Sequence, residues 1–368
     1  MSFRQCLYFD AYHCTNNPNL PMVCQTAPLC GSIVSTPTID YNEKMVFSYI
    51  AVYDIDYYFN TTNQASLLLQ NNSVIITYFG GWTDLDALAL LICVAHLNNA
   101  QVHHWTSIDC GGVYNGNYPC VEYMANNGYI DDIALVTQMG ADGYNIDMEG
   151  STEYVNPSTF KNNWMKSIYN YAKSVQDTYI VSIAVPCDYD QSQWNTDYTD
   201  YYFVMCYDMG GNDGVLQSNA PYSSVRRGIS NWKKNVNHPG MVIVGLPLYA
   251  YFQTCNPMSD GIYGATCSYT PTPNWPPSVG NNQLYQIVNS AFMASDGITS
   301  TSQTPYVNVI PTSSAMTIIQ YQYESPSSIY QKIKGLGIGG VGIYRADLLI
   351  GLPNYMIRAY YTSATSMY

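Results

Sequence analysis

Asp142-Gly143-Tyr144-Asn145-Ile146-Asp147-Met148-Glu149 is the stretch whose reading decides the fold. Polar and apolar residues alternate along it. As a strand it puts Asn145, Asp147 and Glu149 on one face and Tyr144, Ile146 and Met148 on the other. In a barrel wrapped by helices the second set packs outward, while the first projects inward near the C-terminal mouth, where such barrels keep their chemistry. Gathering three polar groups costs about several kcal/mol unless they pair, a cost that an ordinary structural strand avoids. A carboxylate beside Glu149 also disfavours a second negative charge, which raises the pKa of an acid that must deliver a proton. Glutamate is scarce, present only at Glu43, Glu122, Glu149, Glu153 and Glu324, so its place at the end of this run carries weight.

Working outward, short β-rich runs alternate with amphipathic stretches, the pattern of parallel strands each followed by a helix. The expected strands are 44–53, 73–79, 102–108, 143–148, 179–185, 202–207, 241–246 and 340–344. Helices are expected at 85–97, 129–139, 158–174, 223–235 and 327–334, the last opened by Ser325-Pro326-Ser327. This reading predicts an α/β fold, a (β/α)8 TIM barrel over residues 44–368. Two regions break the alternation: a Cys- and Pro-rich N-terminal segment, 1–43, and an insertion at about 251–317 between strands seven and eight. The insertion holds Cys255, Cys267, a Pro-rich loop at 271–277 and an apolar patch at 284–293.

Composition narrows the partners. With 13 basic and 26 acidic residues the net charge is −13, so a polyanion is repelled and nucleic acid is set aside. Charged residues make up 11% of the chain, against roughly 25% in soluble proteins, so the surface is neutral and polar. The 37 tyrosines and abundant Asn suit carbohydrate contact or packing between copies, because they offer stacking faces and hydrogen bonds with no charge to desolvate. Eleven cysteines, among them Cys6, Cys14, Cys24 and Cys30, point to an oxidising compartment, and their odd count leaves one thiol unpaired within the chain. Neither CxxC nor HxxxH spacing occurs, and His103 and His104 face opposite ways on a strand, so no metal and no cofactor are expected. Asn60-Thr-Thr and Asn71-Asn-Ser fit the N-glycosylation pattern. No stretch is long and apolar enough to span a bilayer, and the opening residues lack the apolar run of a signal peptide.

The deciding run resembles the DGxDxDxE signature of family 18 glycoside hydrolases, with Asn145 in place of one Asp. Phe203-Val-Met-Cys-Tyr207-Asp208 resembles the family's sixth-strand MxYD motif and Val244-Gly-Leu-Pro247-Leu-Tyr249 its seventh-strand GxPxY motif. Gly337-Ile-Gly-Gly-Val-Gly-Ile-Tyr344 resembles its eighth-strand GxGGxxxW, with Tyr344 where Trp is usual. For the SxGG motif, Gly80-Gly81-Trp82 and Asp109-Cys-Gly-Gly112 compete, and the latter is favoured. Within the family the chitobiase branch is the nearest likeness, on Leu29-Cys30, Ser218-Asn-Ala-Pro-Tyr222 and Tyr251-Phe-Gln-Thr-Cys255, although Arg345 stands where that branch has Asn.

The resemblance implies hydrolysis of β-1,4 linkages between N-acetylglucosamine units in chitobiose or chitin oligosaccharides, by substrate-assisted retention in which the N-acetyl oxygen attacks the anomeric carbon. Carried over, Glu149 protonates the leaving oxygen, Asp147 orients the acetamide and stabilises the oxazolinium ion, and Tyr207 hydrogen-bonds the acetamide oxygen. Asn145 would hold Asp147, and Tyr344 would floor the sugar site. Met205, Asp208 and Tyr249 are further candidate substrate contacts; Gln320 and Tyr323 would reach the reducing-end side. A Cys-bounded loop in the chitobiase branch implies a Cys255–Cys267 disulfide, and the family's habits imply a secreted, lysosomal or vacuolar location. A rival reading is a non-catalytic, chitinase-like barrel that binds glycans or builds an assembly through Tyr-rich surface, including residues 355–368, unless 350–361 is simply the eighth barrel helix.

Overall fold

A computed structural model describes residues 39–51, 73–78, 92, 95–96, 100–108, 110, 118–149, 156–188, 191–211, 213–256, 267–271, 276–311 and 317–366. Cys6, Cys14, Cys24, Cys30, Cys93, the acceptors Asn60 and Asn71, Gly80-Gly81-Trp82, Asp109, Gly111, Gly112 and most of the expected helix 85–97 lie outside the described residues.

Eight parallel strands close into a barrel: β1 (Met45–Ala51), β2 (Ser73–Tyr78), β3 (Gln101–Ser107), β4 (Gly143–Asp147), β5 (Ile180–Pro186), β6 (Tyr201–Met205), β7 (Val242–Pro247) and, after an insertion, β13 (Gly340–Tyr344). The ring runs β1-β13-β7-β6-β5-β4-β3-β2, so β13 pairs with both β7 and β1. Around it lie α1 (Pro119–Ala125), α2 (Gly128–Gln138), α3 (Lys166–Val175), α4 (Tyr222–Asn235), α6 (Pro326–Ile333) and α7 (Asn354–Thr365), with α5 (Asn281–Ser290) in the insertion. Ahead of α3, the short helix Pro157–Thr159 runs into a π-helical stretch, Phe160–Met165. Among the described residues no helix is long and apolar enough to cross a membrane.

Alternation sorts the side chains as the pattern requires. Tyr144 and Ile146 are fully buried in the layer between strands and helices, with Ile133, Ile168 and Ala172. Inside the barrel, Phe47, Tyr49, Tyr201 and Phe203 stack in a second cluster. Phe203 sets two glycines: a Cβ on Gly342 or on Gly245 would run into its ring, so the barrel interior admits this phenylalanine only where the facing strands carry no side chain.

The insertion is larger than expected and is a sheet in its own right. β8 (Tyr249–Cys255), β9 (Ser278–Gly280), β10 (Phe292–Ile298), β11 (Pro305–Ile310) and β12 (Ile318–Gln322) form an antiparallel sheet in the order β10-β11-β12-β8-β9. It starts at Tyr249 and ends at Gln322, outside both expected bounds. The apolar patch 284–293 divides into α5 and the start of β10. Ala250, Leu284, Val307, Val309 and Tyr321 make its own small core. Cys255 and Cys267 are bonded, with Cα atoms 5.1 Å apart; Cys110–Cys120 and Cys187–Cys206 are further bridges.

The insertion joins the barrel through buried polar groups. Lys332 of α6 pairs with Glu324, and both are almost wholly shielded. Lys332 also donates to Thr304 Oγ1 at 3.2 Å, and Thr304 meets Ser218, from the loop after β6, at 2.5 Å. Ser328 donates to the other Glu324 oxygen at 2.7 Å.

The Tyr-rich tail docks on its own barrel as its last helix, the alternative that the sequence leaves open for residues 350–361. In α7, Ile357, Tyr360, Tyr361 and Ala364 are buried, and Tyr361 hydrogen-bonds Ser48 of β1 at 2.9 Å. The amphipathic pattern of 354–365 is that of the eighth barrel helix. Tyr355 alone among the large apolar groups of this helix stands out in solvent, 71% exposed.

Candidate active site

Strand β4 delivers its polar face to the C-terminal mouth. Asn145 is fully buried and Asp147 nearly so, while Glu149, two residues past the last strand-paired polar position, is exposed at the rim. Asn145 accepts from the Tyr49 hydroxyl at 2.9 Å and donates to Ser182 Oγ at 2.8 Å. It therefore locks β4 to β1 and β5. The hold on Asp147 comes instead from Trp105 Nε1, which donates to Oδ2 at 3.2 Å, and from the Ser107 hydroxyl. Asp147 Oδ1 is buried without a partner among the described residues.

Burial pushes the Asp147 carboxyl up to about 7, and the nearby Glu149 charge adds to the rise. Asp147 is the deeper of the two, and its desolvation outweighs the like-charge repulsion from Glu149. The carboxylates form a coupled pair in which the inner member readily takes a proton near neutrality.

Aromatic rings surround the pair. Tyr344, ending β13, stacks on Tyr207 with centroids 5.0 Å apart and 13° between planes. Tyr49, Trp105 and Tyr249 meet Tyr344 edge-on at 5.6, 6.2 and 6.3 Å. Burial, with the Asp147 charge second, raises the Tyr344 phenol to about 12, and burial lifts Tyr207 well above the ordinary phenol value. Both stay protonated and can donate. Met205, half-buried at the end of β6, packs on the barrel-interior cluster beneath these rings.

Asp208 sits in the left-handed region, φ 55°. Its N–H donates to Asn219 Oδ1 at 2.5 Å, and its carboxylate accepts from Tyr249 Oη at 2.6 Å and Tyr251 Oη at 2.5 Å. Just past Tyr344, Arg345 and Asp347 form an ion pair. Gln320 is not in this group. It lies 1% exposed in the insertion sheet, where its Nε2 donates to Asn308 Oδ1 at 3.0 Å and its Oε1 accepts from Gln322. On β12 the phase that lets Tyr321 face the insertion's apolar core turns Gln320 to the opposite, polar face.

Trp105 and Tyr49 lie outside the motifs, and Tyr251 enters them only as the start of Tyr251-Phe-Gln-Thr-Cys255. The signal for Trp105 was present, since it falls in phase with the inward His103 and Ser107 on β3. His103 indeed packs inward on Phe47 and His104 outward on Tyr144, and burial lowers each to about 4.

A closed eight-stranded parallel barrel with two coupled carboxylates at the mouth of its fourth strand, ringed by aromatic side chains, has the architecture of a glycosidase. Residues 4–348 match the family model described as glycosyl hydrolases family 18, and the chain belongs to that family. Among its relatives, the probable di-N-acetylchitobiase 1 of Dictyostelium discoideum is 26% identical over 327 residues, covering 76% of this chain and 82% of the relative. The di-N-acetylchitobiase of Rattus norvegicus is 24% identical over 299 residues, covering 73% and 78%. Solved structures share the fold: a chitinase from Rhizomucor miehei has a TM-score of 0.66 at 15% identity over 88% of this chain and 99% of its own. A mutant family 18 chitinase from Cycas revoluta, solved with (GlcNAc)4, has a TM-score of 0.67 at 13% identity over 87% and 99%.

Proposed function

We propose that this glycoside hydrolase cleaves β-1,4 linkages between N-acetylglucosamine units by substrate-assisted retention. The observation that carries the reading is the Asp147 carboxyl, buried beside Glu149 and held by Trp105 and Ser107, with Oδ1 lacking a partner among the described residues. An acetamide N–H is the donor that such an oxygen lacks. With the acetamide so held, its carbonyl oxygen attacks the anomeric carbon while the glycosidic C–O bond breaks, and Glu149 gives its proton to the departing oxygen. Asp147 then faces the positive oxazolinium ion in a low-dielectric site, where a fixed negative charge is most effective. Water opens the ring with Glu149 taking a proton back. Tyr207 is placed to donate to the acetamide oxygen, and Tyr344 offers the ring against which the sugar packs, with less area than Trp. The relatives' names and the oligosaccharide held by the Cycas revoluta chitinase support the substrate class.

The test is release of fluorophore from a chitobioside or chitotrioside. Glu149→Gln is expected to abolish release while sugar binding, followed calorimetrically, persists; equal rates in variant and parent would end the assignment. The three described disulfides support passage through an oxidising, secretory-route compartment, with Asn60 and Asn71 as proposed glycan acceptors. The low charge content supports a second reading, that the barrel also packs into an extracellular assembly. Sedimentation at micromolar concentration separates the two, because a single monomeric species leaves the assembly without support.

A further inference from the structure

Among the described residues, the backbone bearing the two carboxylates is held at its end from the β3 side. Pairing of β4 with β5 stops at Ile146↔Ile183. Beyond that point, among the described residues, the holding amides come from the stretch after β3: Ile108 N–H donates to the Asp147 carbonyl at 2.8 Å and Cys110 N–H to the Glu149 carbonyl at 2.7 Å. Cys110 is covalently bonded to Cys120 in the first turn of α1, and both residues are fully buried. Helix α1 is in turn fixed to the outer face of β4, where the Tyr123 and Tyr144 hydroxyls meet at 2.7 Å. The circuit is closed: from Tyr144 on β4, out to Tyr123, along α1 to Cys120, across the bridge to Cys110, and back to Glu149 at the tip of the same strand.

A backbone hydrogen bond at a strand end is worth about 1 kcal/mol net and opens readily; a crosslink to an anchored helix withholds that freedom. We propose that the Cys110–Cys120 disulfide is a positioning device for catalysis, holding the amide that sets the height of Glu149 over Asp147. This rests on the proposed role of Glu149. Cys110 touches no reacting atom; it acts through the backbone of the acid.

The experiment compares two double variants in the full chain: Cys110→Ala with Cys120→Ala, and Cys255→Ala with Cys267→Ala. Each loses one short-loop bridge, so both are expected to melt lower. On a fluorogenic chitotrioside, the first pair is expected to lose about tenfold to hundredfold in kcat with KM nearly unchanged, as displacement of a catalytic group by a fraction of an ångström does. The second pair should keep the parent's kcat. Hydrogen exchange, read on the peptide spanning 107–112, should quicken in the first pair only. Equal kcat in the two pairs, or unchanged protection at Cys110, overturns the proposal. Where the alanine pair does not fold, C110S with C120S carries the same readouts. If the parent itself fails to hydrolyse the trioside, the functional reading has failed, whereas the exchange comparison still decides the clamp.

Discussion

Asp147 links the site's chemistry to the stability of the molecule. Its folded pKa, about 7, lies above the roughly 3.9 of an unfolded Asp, so the native state holds the proton more tightly. The stabilisation is complete below about pH 4 and is lost as pH rises through about 7. Asp147→Asn removes this titration, so its stability relative to the parent should climb between pH 4 and pH 8 by on the order of 2–4 kcal/mol, an upper range because water and Glu149 share the load. Thermal unfolding at a series of pH values reads it, and a gap that stays flat or narrows refutes the burial argument. The same variant should lose most of its kcat. Trp105→Phe keeps the ring but deletes the donor that favours the charged carboxylate, so the acidic limb of the pH–kcat profile should move to higher pH; an unmoved limb would mean that Trp105 does not act on Asp147. The three polar positions of β4 are legible in sequence because a period of two leaves no other arrangement. Trp105 and Tyr49 are not, since an aromatic residue in a strand reads as packing until the register, which sets Trp105 beside Asn145, shows what its nitrogen meets.

Among elements, the joint between insertion and barrel depends on a charge pair sealed from water. Burial lowers the Lys332 pKa and raises that of Glu324, each against the pull of its partner, so neither charge is comfortable alone. Lys332→Met should destabilise the protein by about 3–5 kcal/mol, and adding Glu324→Gln should recover part of that loss, because a stranded charge costs more than an absent pair. Urea denaturation of the two variants gives the comparison; a double variant weaker than the single would contradict it. Removing the Cys255–Cys267 bridge, which spans 12 residues, should cost about 3 kcal/mol. The barrel strands are found from sequence to within a residue or two, because most are short apolar, β-branched runs set between amphipathic stretches. The insertion strands hide. Ile318–Gln322 carries Gln320 and Gln322 among apolar residues and Pro305–Ile310 carries Asn308, since one face packs on α5 and the other on polar groups.

At the scale of the molecule, tyrosine abundance misleads as a sign of surface character. Tyr49, Tyr144, Tyr179, Tyr201, Tyr202 and Tyr361 are among the largest fully shielded side chains, and composition cannot separate a phenol that fills a core and hydrogen-bonds inward from one that faces water. The order of strands around the ring is the sequential one that alternating strands and helices imply, closed by β13 against β1. That order has a consequence in time. Strand β1 is flanked by β2 and by β13, so during synthesis one side of it leaves the ribosome with no neighbour and stays open until Gly340–Tyr344 has emerged. The three bridges, with separations of 10, 19 and 12 residues, can close within segments already extruded, but the wall cannot. A nascent chain of this design therefore carries an adhesive flank through most of its translation, and chaperone cover at that flank, more than the rate of oxidation, is what should limit the yield of folded protein in a foreign host.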